Sequence, residues 1–366
     1  MNEWDLFQSK RTIPEHHKII SCYAAFNHMR IRRNGGMHPC CFSRKMKIWK
    51  KDRFGLKDYW FGELNNTYKD DFLKNKLSAG CQAACQKRID KGETPPIIEY
   101  DYNVGEDRLE HALDGDSWPR VFEFEISNLC NMACPMCFGE LSSKHMLGRD
   151  KDIRQYDPNV FDNDENLEQL LEQFVEFIPH LKEIRFVGGE PFSHKASYKL
   201  CALIAEINPS LKIQVCTNGS VFNKKVVRIC QENNLNLSIS LDTVVESEYD
   251  MIRIGGKYSE TMDNIQKFKD VLGPNRIKVN STLMKVNAKN IDLFLKYAED
   301  NHFGAFINAY DRAGRTHTED WNINLLSKDV LEDTMNRVQA LNISNRNSKM
   351  AVTKIMNLLR NAINDR

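Results

Sequence analysis

Between residues 116 and 325 two hydrophobic periods take turns along the chain. Short apolar or alternating runs at 121–126, 183–187, 212–216, 236–241, 277–283 and 305–309 have strand character. Helical stripes lie between them. Leu167, Leu170, Leu171, Phe174 and Ile178 follow i, i+3, i+4, i+7 spacing, as do Leu200, Leu203, Ile204 and Ile207. Met262, Ile265, Phe268 and Leu272 make a third stripe. Such stripes are faces that pack on a sheet. Strands separated by helices imply right-handed crossovers and a parallel sheet, so the pattern predicts an α/β fold in the form of an open, partial barrel. Residues 326–366 read as two helices. Val330, Leu331, Met335, Val338 and Leu341 mark one, and Met350, Val352, Ile355, Leu358, Leu359 and Ile363 mark the other, with polar residues 342–347 between them. They are expected to cover the open side of the barrel or to mediate dimerisation.

Residues 1–115 behave differently. Their periodicity is weak, and only two short strand-like pieces stand out, at 23–31 and 37–42, with Gly35-Gly36 turning between them. Pro95-Pro96 can neither continue a helix nor join a central ladder. An acidic run at 99–107 and the turn Asp114-Gly115-Asp116 follow, which sets a boundary near residue 115. Three segments result: a cysteine-rich domain at 1–115, the barrel at 116–325 and a helical extension at 326–366.

Composition narrows the class. The 366 residues are 41% hydrophobic and 28% charged, ordinary for a soluble globular protein with a sizeable core. A net charge of +1 gives no global pull towards nucleic acid or anionic membrane. The local run Arg30, Arg32, Arg33, Arg44, Lys45, Lys47, Lys50 and Lys51 reads as a solvated face. Residues 1–10 lack the apolar centre of a signal peptide, and no apolar run has the length of a membrane span. Eleven cysteines without a secretion signal point to metal chemistry in a reducing cytoplasm.

The chemistry concentrates in Cys130-Asn131-Met132-Ala133-Cys134-Pro135-Met136-Cys137, three cysteines at C-x3-C-x2-C spacing just after the first predicted strand. Structural zinc wants four protein ligands. A four-iron cubane normally takes one thiolate per iron, so three thiolates leave one iron open. Ligands of parallel α/β sheets bind at the carboxyl ends of the strands, and further motifs fall there. Gly188-Gly189-Glu190-Pro191 ends the second strand, with glycines that admit a close backbone approach and a carboxylate acceptor. Thr217-Asn218-Gly219 ends the third. Ser238, Ser240 and Asp242 share one face at the end of the fourth. Asn280 and Ser281 lie on the fifth, and Arg253 offers a fork for a carboxylate. Cys201, Cys216 and Cys230 read as core packing, and His145 as structural. In the front segment, one hairpin brings Cys22 and Cys40 to the same end, and Cys81 and Cys85 close a four-thiolate site. Structural zinc and an iron–sulfur cluster both suit it, and Cys41 can exchange roles with Cys40.

The cysteine octapeptide resembles the cluster loop of the radical S-adenosylmethionine (SAM) enzymes, with Met136 where many members carry an aromatic residue. The resemblance implies a (β/α)6, TIM-like partial barrel. It also implies a 4Fe–4S cluster on Cys130, Cys134 and Cys137, with SAM chelating the open iron. Gly188, Gly189, Glu190 and Pro191 resemble the GGEP motif that contacts the SAM amino group. Asn218 lies in a tripeptide that the family often has near its active site, Ser240 resembles its ribose-side contact, and Arg253 resembles an arginine that pairs with the SAM carboxylate. Asp242 is expected either at the cofactor site or as a cap of the next segment. The implied reaction is reductive cleavage of SAM and hydrogen abstraction from a substrate, with an electron donor of flavodoxin or ferredoxin type. The spacing of Cys22, Gly35 and Cys40 resembles SPASM and twitch domains, which hold auxiliary 4Fe–4S clusters, and Cys81 and Cys85 complete the implied set. That resemblance favours a peptide or protein substrate, as in maturases. A small metabolite stays open, and the charge balance disfavours nucleic acid. The competing reading is a non-enzymatic zinc or iron–sulfur protein, which explains the cysteines but not the GGEP stretch.

Overall fold

The computed structural model describes residues 2–100, 105–146, 159–310 and 320–365, so residues 101–104 of the acidic run lie outside the described residues. Two compact units are present. The first comprises residues 1–127, 157–186 and 199–212, and the second residues 128–156, 187–198 and 213–366.

In the first unit the strands are β1 (His28–Arg32), β2 (Gly36–His38), β3 (Lys47–Ile48), β4 (Val121–Glu125) and β5 (Glu183–Phe186), in the order β3-β2-β1-β4-β5. β1 to β3 form an antiparallel meander, and β1, β4 and β5 run parallel. Gly35, at φ +79°, makes the turn between β1 and β2, a conformation that suits glycine. The expected strand at 23–31 is shorter than its pattern suggests. Ala24–Asn27 is a buried helical turn, and β1 begins only at His28. Two alanines favour helix locally, while the rest of the segment is claimed by β4 in the register His28↔Val121 to Arg32↔Glu125. Likewise β2 stops at His38, short of Cys40.

That pairing also moves part of the basic run. Phe122 and Phe124 turn one face of β4 towards Phe174, whose ring lies 5.0 and 4.9 Å from theirs on the helix Asp164–Val175. The other face carries Glu123 and Glu125. Arg30 sits 3.0 Å from Glu123 and also contacts Glu125, and Arg32 Nε lies 3.1 Å from Glu125. Arg30, Arg32 and Arg33 are therefore not on a solvated face, since Arg33 is buried and the other two are half-buried. Burial opposes the Glu123 charge, but His28 and Arg30 outweigh it and hold its pKa at about 2. A depressed carboxylate stabilises the fold above its unfolded pKa, and that stability is lost as pH falls through the folded value. E123Q is thus expected to cost on the order of 3 kcal/mol at pH 7 and much less near pH 2. Urea denaturation of both chains at the two pH values checks this, and an equal cost at both would refute it.

In the second unit β6 (Lys212–Thr217), β7 (Asn234–Ser240), β8 (Ile277–Leu283) and β9 (Gly304–Ala309) follow one another in that order. β7, β8 and β9 are parallel neighbours. The helices Lys224–Glu232, Tyr258–Leu272 and Ile291–Asp300 make the crossovers. The first is capped by Asn223, whose Oδ1 accepts from Lys225 and Val226 N–H at 2.9 and 3.1 Å. The two predicted C-terminal helices are Lys328–Gln339 and Arg346–Asn364. The last one covers β9, where Ala305 N–H donates to Ser348 Oγ at 3.2 Å. The expected α/β class holds, with a parallel sheet, and among the described residues no pairing closes a full barrel. No helix among them is long and apolar enough to cross a membrane.

Candidate active site

All parts of the barrel site fall in the second unit. A cleft of about 430 Å³ is lined by Cys130, Cys134, Cys137, Gly188, Gly189, Asn218, Ser240 and Arg253, together with Met136 and Cys216. Of the predicted residues, Glu190, Pro191 and Asp242 stand behind this lining and are buried.

The cysteine loop has no helix or strand of its own, so other groups must satisfy its backbone. Ser142 Oγ donates to Met132 O at 2.7 Å, and Ser143 N–H donates to Asn128 O at 2.7 Å. His145 Nε2 lies 2.8 Å from Cys134 O, which bears out its structural reading. Ala133 N–H donates to Ile254 O at 2.8 Å, so the segment after Arg253 also holds the loop. Close approach there depends on Gly255, at φ +91°, where a Cβ would come within 2.9 Å of Asn131 O. Sequence reading missed Ser142, Ser143 and Gly255, because their partners are main-chain atoms distant in sequence.

Burial shapes the thiols. It raises the pKa of Cys130 and of Cys134, although Arg253 opposes the shift at both. Cys137 is pushed up to about 12 by burial and then by its neighbours Cys134 and Cys130. All three cysteines line the same cleft. As neutral thiols they must release protons on taking up metal.

Glu190 is a brace. Its N–H donates to Leu129 O at 2.7 Å, beside Cys130. Its carboxylate accepts from Phe192 N–H (3.1 Å), Thr217 Oγ1 (2.8 Å) and Asn218 N–H (2.7 Å). Burial raises its pKa, and these hydrogen bonds work against the rise. Glu190 thereby ties the glycine loop to the end of β6. Asn218 Nδ2 continues the link, donating to Asn131 Oδ1 at 2.8 Å and reaching Cys130 Sγ at 3.9 Å. Arg253 Nη2 lies 2.5 Å from Asp242 Oδ2, while its Nε is buried without a hydrogen bond. Burial works against the Arg253 charge, yet Asp242 and Cys134 raise its pKa overall. Asn280 Nδ2 donates to Ser238 Oγ at 2.6 Å, and Ser281 Oγ to Asp242 O at 2.8 Å, so these two support the site from behind. Cys201 and Cys230 are core residues as expected, but Cys216 is half-buried and lines the cleft, because β6 presents it on the same face as its polar end.

The donor chemistry fits a four-iron cluster with one open corner. Three thiols share one cleft with two glycines, and a buried cation keeps an unpartnered Nε. Among the described residues no three Cys, His, Asp or Glu side chains come together as a group that could hold a metal ion. The radical SAM superfamily profile matches residues 124–298. Over that stretch, a little under half of its length, the chain is similar to the radical SAM superfamily of enzymes. GTP 3′,8-cyclases are among its relatives. That of Listeria welshimeri is 26% identical over 225 residues, 59% of this chain and 62% of the relative. One from Haemophilus influenzae is 27% identical over 203 residues, covering 54% and 55%. The chain thus spans between about half and three fifths of the length of those relatives. Among solved structures, Streptococcus suis SuiB bound to S-adenosylmethionine aligns at 16% identity and a TM-score of 0.42, covering 63% of this chain and 49% of SuiB. Native anSMEcpe with bound AdoMet aligns at 16% identity and a TM-score of 0.44, covering 59% and 57%.

In the first unit the front cysteines also share one environment. Cys22, Cys81 and Cys85 are buried in an apolar cluster and Cys40 packs against it, whereas Cys41 is exposed. Burial raises the Cys22 pKa, with Cys40, Cys81 and Cys85 adding to the rise. Cys81 is pushed up to about 12 by burial and by Cys85. Cys85 lies on a π-helical turn, Gln82–Gln86, a form frequent at functional sites.

Proposed function

We propose that this protein cleaves SAM reductively at a 4Fe–4S cluster held by Cys130, Cys134 and Cys137. When bound, cluster and SAM supply methionine and a 5′-deoxyadenosyl radical that takes a hydrogen atom from the substrate. The observation that carries the reading is that the three thiols open onto one cleft with Gly188, Gly189 and Arg253. The two glycines, both at positive φ, admit a ligand close to the backbone, and Gly189 holds the loop against residue 129. Glu190 and Pro191 stiffen that loop, Asn218 and Ser240 line the cleft, and Asp242 holds Arg253.

Cys22, Cys40, Cys81 and Cys85 are proposed to hold an auxiliary 4Fe–4S cluster, supported by their common burial and by the exposure of Cys41. The division at residues 115 and 325, a reducing cytoplasmic setting and an electron donor of flavodoxin or ferredoxin type belong to the same reading. The auxiliary site favours a peptide or protein side chain as substrate. The names of the curated relatives favour a second reading, a nucleotide-sized metabolite.

The test is anaerobic reconstitution with iron and sulfide, followed by SAM and dithionite. The expected result is a brown protein that forms 5′-deoxyadenosine. A cluster-loaded protein that forms none would refute the reading. Deuterated candidate peptides and nucleotides then identify the substrate, because the true one passes its label to 5′-deoxyadenosine.

A further inference from the structure

The Arg253 guanidinium is committed in two directions. Nη2 meets Asp242 Oδ2 at 2.5 Å, and Nη1 lies 3.7 Å from Cys134 Sγ, within hydrogen-bond reach of a sulfur. Both residues of the ion pair are buried, at 8% and 1% exposure, so neither is screened by water. Asp242 is itself immobilised. Its Oδ1 accepts from Thr282 N–H at 2.7 Å, and its carbonyl accepts from Ser281 Oγ at 2.8 Å and Asn287 Nδ2 at 3.0 Å. Its φ of +67° lies in the left-handed region, which Asp tolerates better than most residues and which turns its side chain off the line of β7. A planar guanidinium gripped at one end has its other N–H groups aimed.

We propose that Arg253 is an N–H donor to the Cys134 thiolate that tunes the cluster's reduction potential, and that Asp242 is the positioning residue that aims it. The proposal rests on Cys130, Cys134 and Cys137 being the cluster ligands. Hydrogen bonds to the sulfurs and nearby charge set the potential of such clusters. Reduction adds one negative charge, so a fixed cation beside the thiolate stabilises the reduced form. In this assignment Arg253 acts on the cluster before any SAM is present. An arginine serving only the SAM carboxylate does not.

The experiment is a potentiometric dithionite titration of the full-length, cluster-loaded protein without SAM. The reduced cluster is read by electron paramagnetic resonance, and its signal is identified as the one missing from C130A/C134A/C137A. In R253Q the oxidised-to-reduced ratio at a fixed potential is expected to rise about tenfold, a shift of about 59 mV downward for one electron. D242N is expected to shift the same way although Arg253 is intact, and D242E to recover most of the loss. If R253Q loads poorly, R253K is read instead. It keeps the charge but loses the fork, and a downward shift supports the proposal. Unchanged potentials in the arginine variants, with weakened SAM binding, would overturn it. A normal potential in D242N would overturn the role of Asp242. A wild-type protein that takes up no four-iron cluster overturns the ligand assignment underneath, a result distinct from either.

Discussion

C130A/C134A/C137A protein, loaded anaerobically, is expected to hold about four fewer irons per chain than wild type and to form no 5′-deoxyadenosine. Losing all three thiolates removes the proposed anchors for three corners of the cubane. Ser142, Ser143 and His145 hold main-chain atoms in and beside the loop, although Ser142 also hydrogen-bonds the Cys130 thiol. The backbone of the loop therefore survives the substitution, and the loss is one of metal rather than of fold. C22A/C40A/C81A/C85A is the converse. It is expected to lose about four irons if the front thiols hold a second cluster, and about one zinc if they hold a structural ion. Iron, zinc and sulfide counts on the three proteins separate these outcomes. Retention of SAM cleavage by the C130A/C134A/C137A protein would eliminate the ligand assignment outright.

G189A is expected to be the most damaging single substitution of a residue that ligates nothing. Gly189 has φ +55°, and a Cβ there would lie 2.5 Å from Leu129 O and 2.9 Å from the Asn128 carbonyl carbon. Those atoms immediately precede Cys130, and Leu129 O already receives Glu190 N–H at 2.7 Å. Left-handed strain and a backbone overlap together are expected to cost about 3 kcal/mol, with the first cysteine displaced. Gly273 is the control. It has φ +80° and ψ 153°, a region essentially confined to glycine, but nothing within 4 Å of a Cβ, so G273A carries backbone strain alone, about 1–3 kcal/mol, and leaves iron uptake intact. Denaturant unfolding of both apoproteins, with iron uptake on loading, checks the pair. Iron uptake as full in G189A as in G273A would show that the contact with residues 128 and 129 is unimportant.

The contrast between the front segment and the barrel segment explains what could be read directly. The six barrel strands begin and end within about two residues of their apolar runs, because each run is flanked by turn residues and the helical stripes between them are strongly amphipathic. The front segment gave a weaker signal. Its β1 is held by β4, ninety-odd residues away, and no local propensity encodes that pairing. The same pairing buries Arg30 and Arg32 against Glu123 and Glu125, which a count of charges could only assign to solvent.

By itself, the order of residues determined the α/β class, the alternation of strands and helices, and the identity of the thiol, glycine and guanidinium groups at the strand ends. These follow from spacing, which is a local property of the chain. Tertiary structure decided what each group touches. It made Glu190 a brace between two loops, set Asp242 behind Arg253, brought Cys216 into the cleft and gathered Cys22, Cys40, Cys81 and Cys85 while leaving Cys41 outside. Hydrogen bonds and ion pairs act over a few ångströms in space, and residues far apart in the chain come that close only once the core has packed.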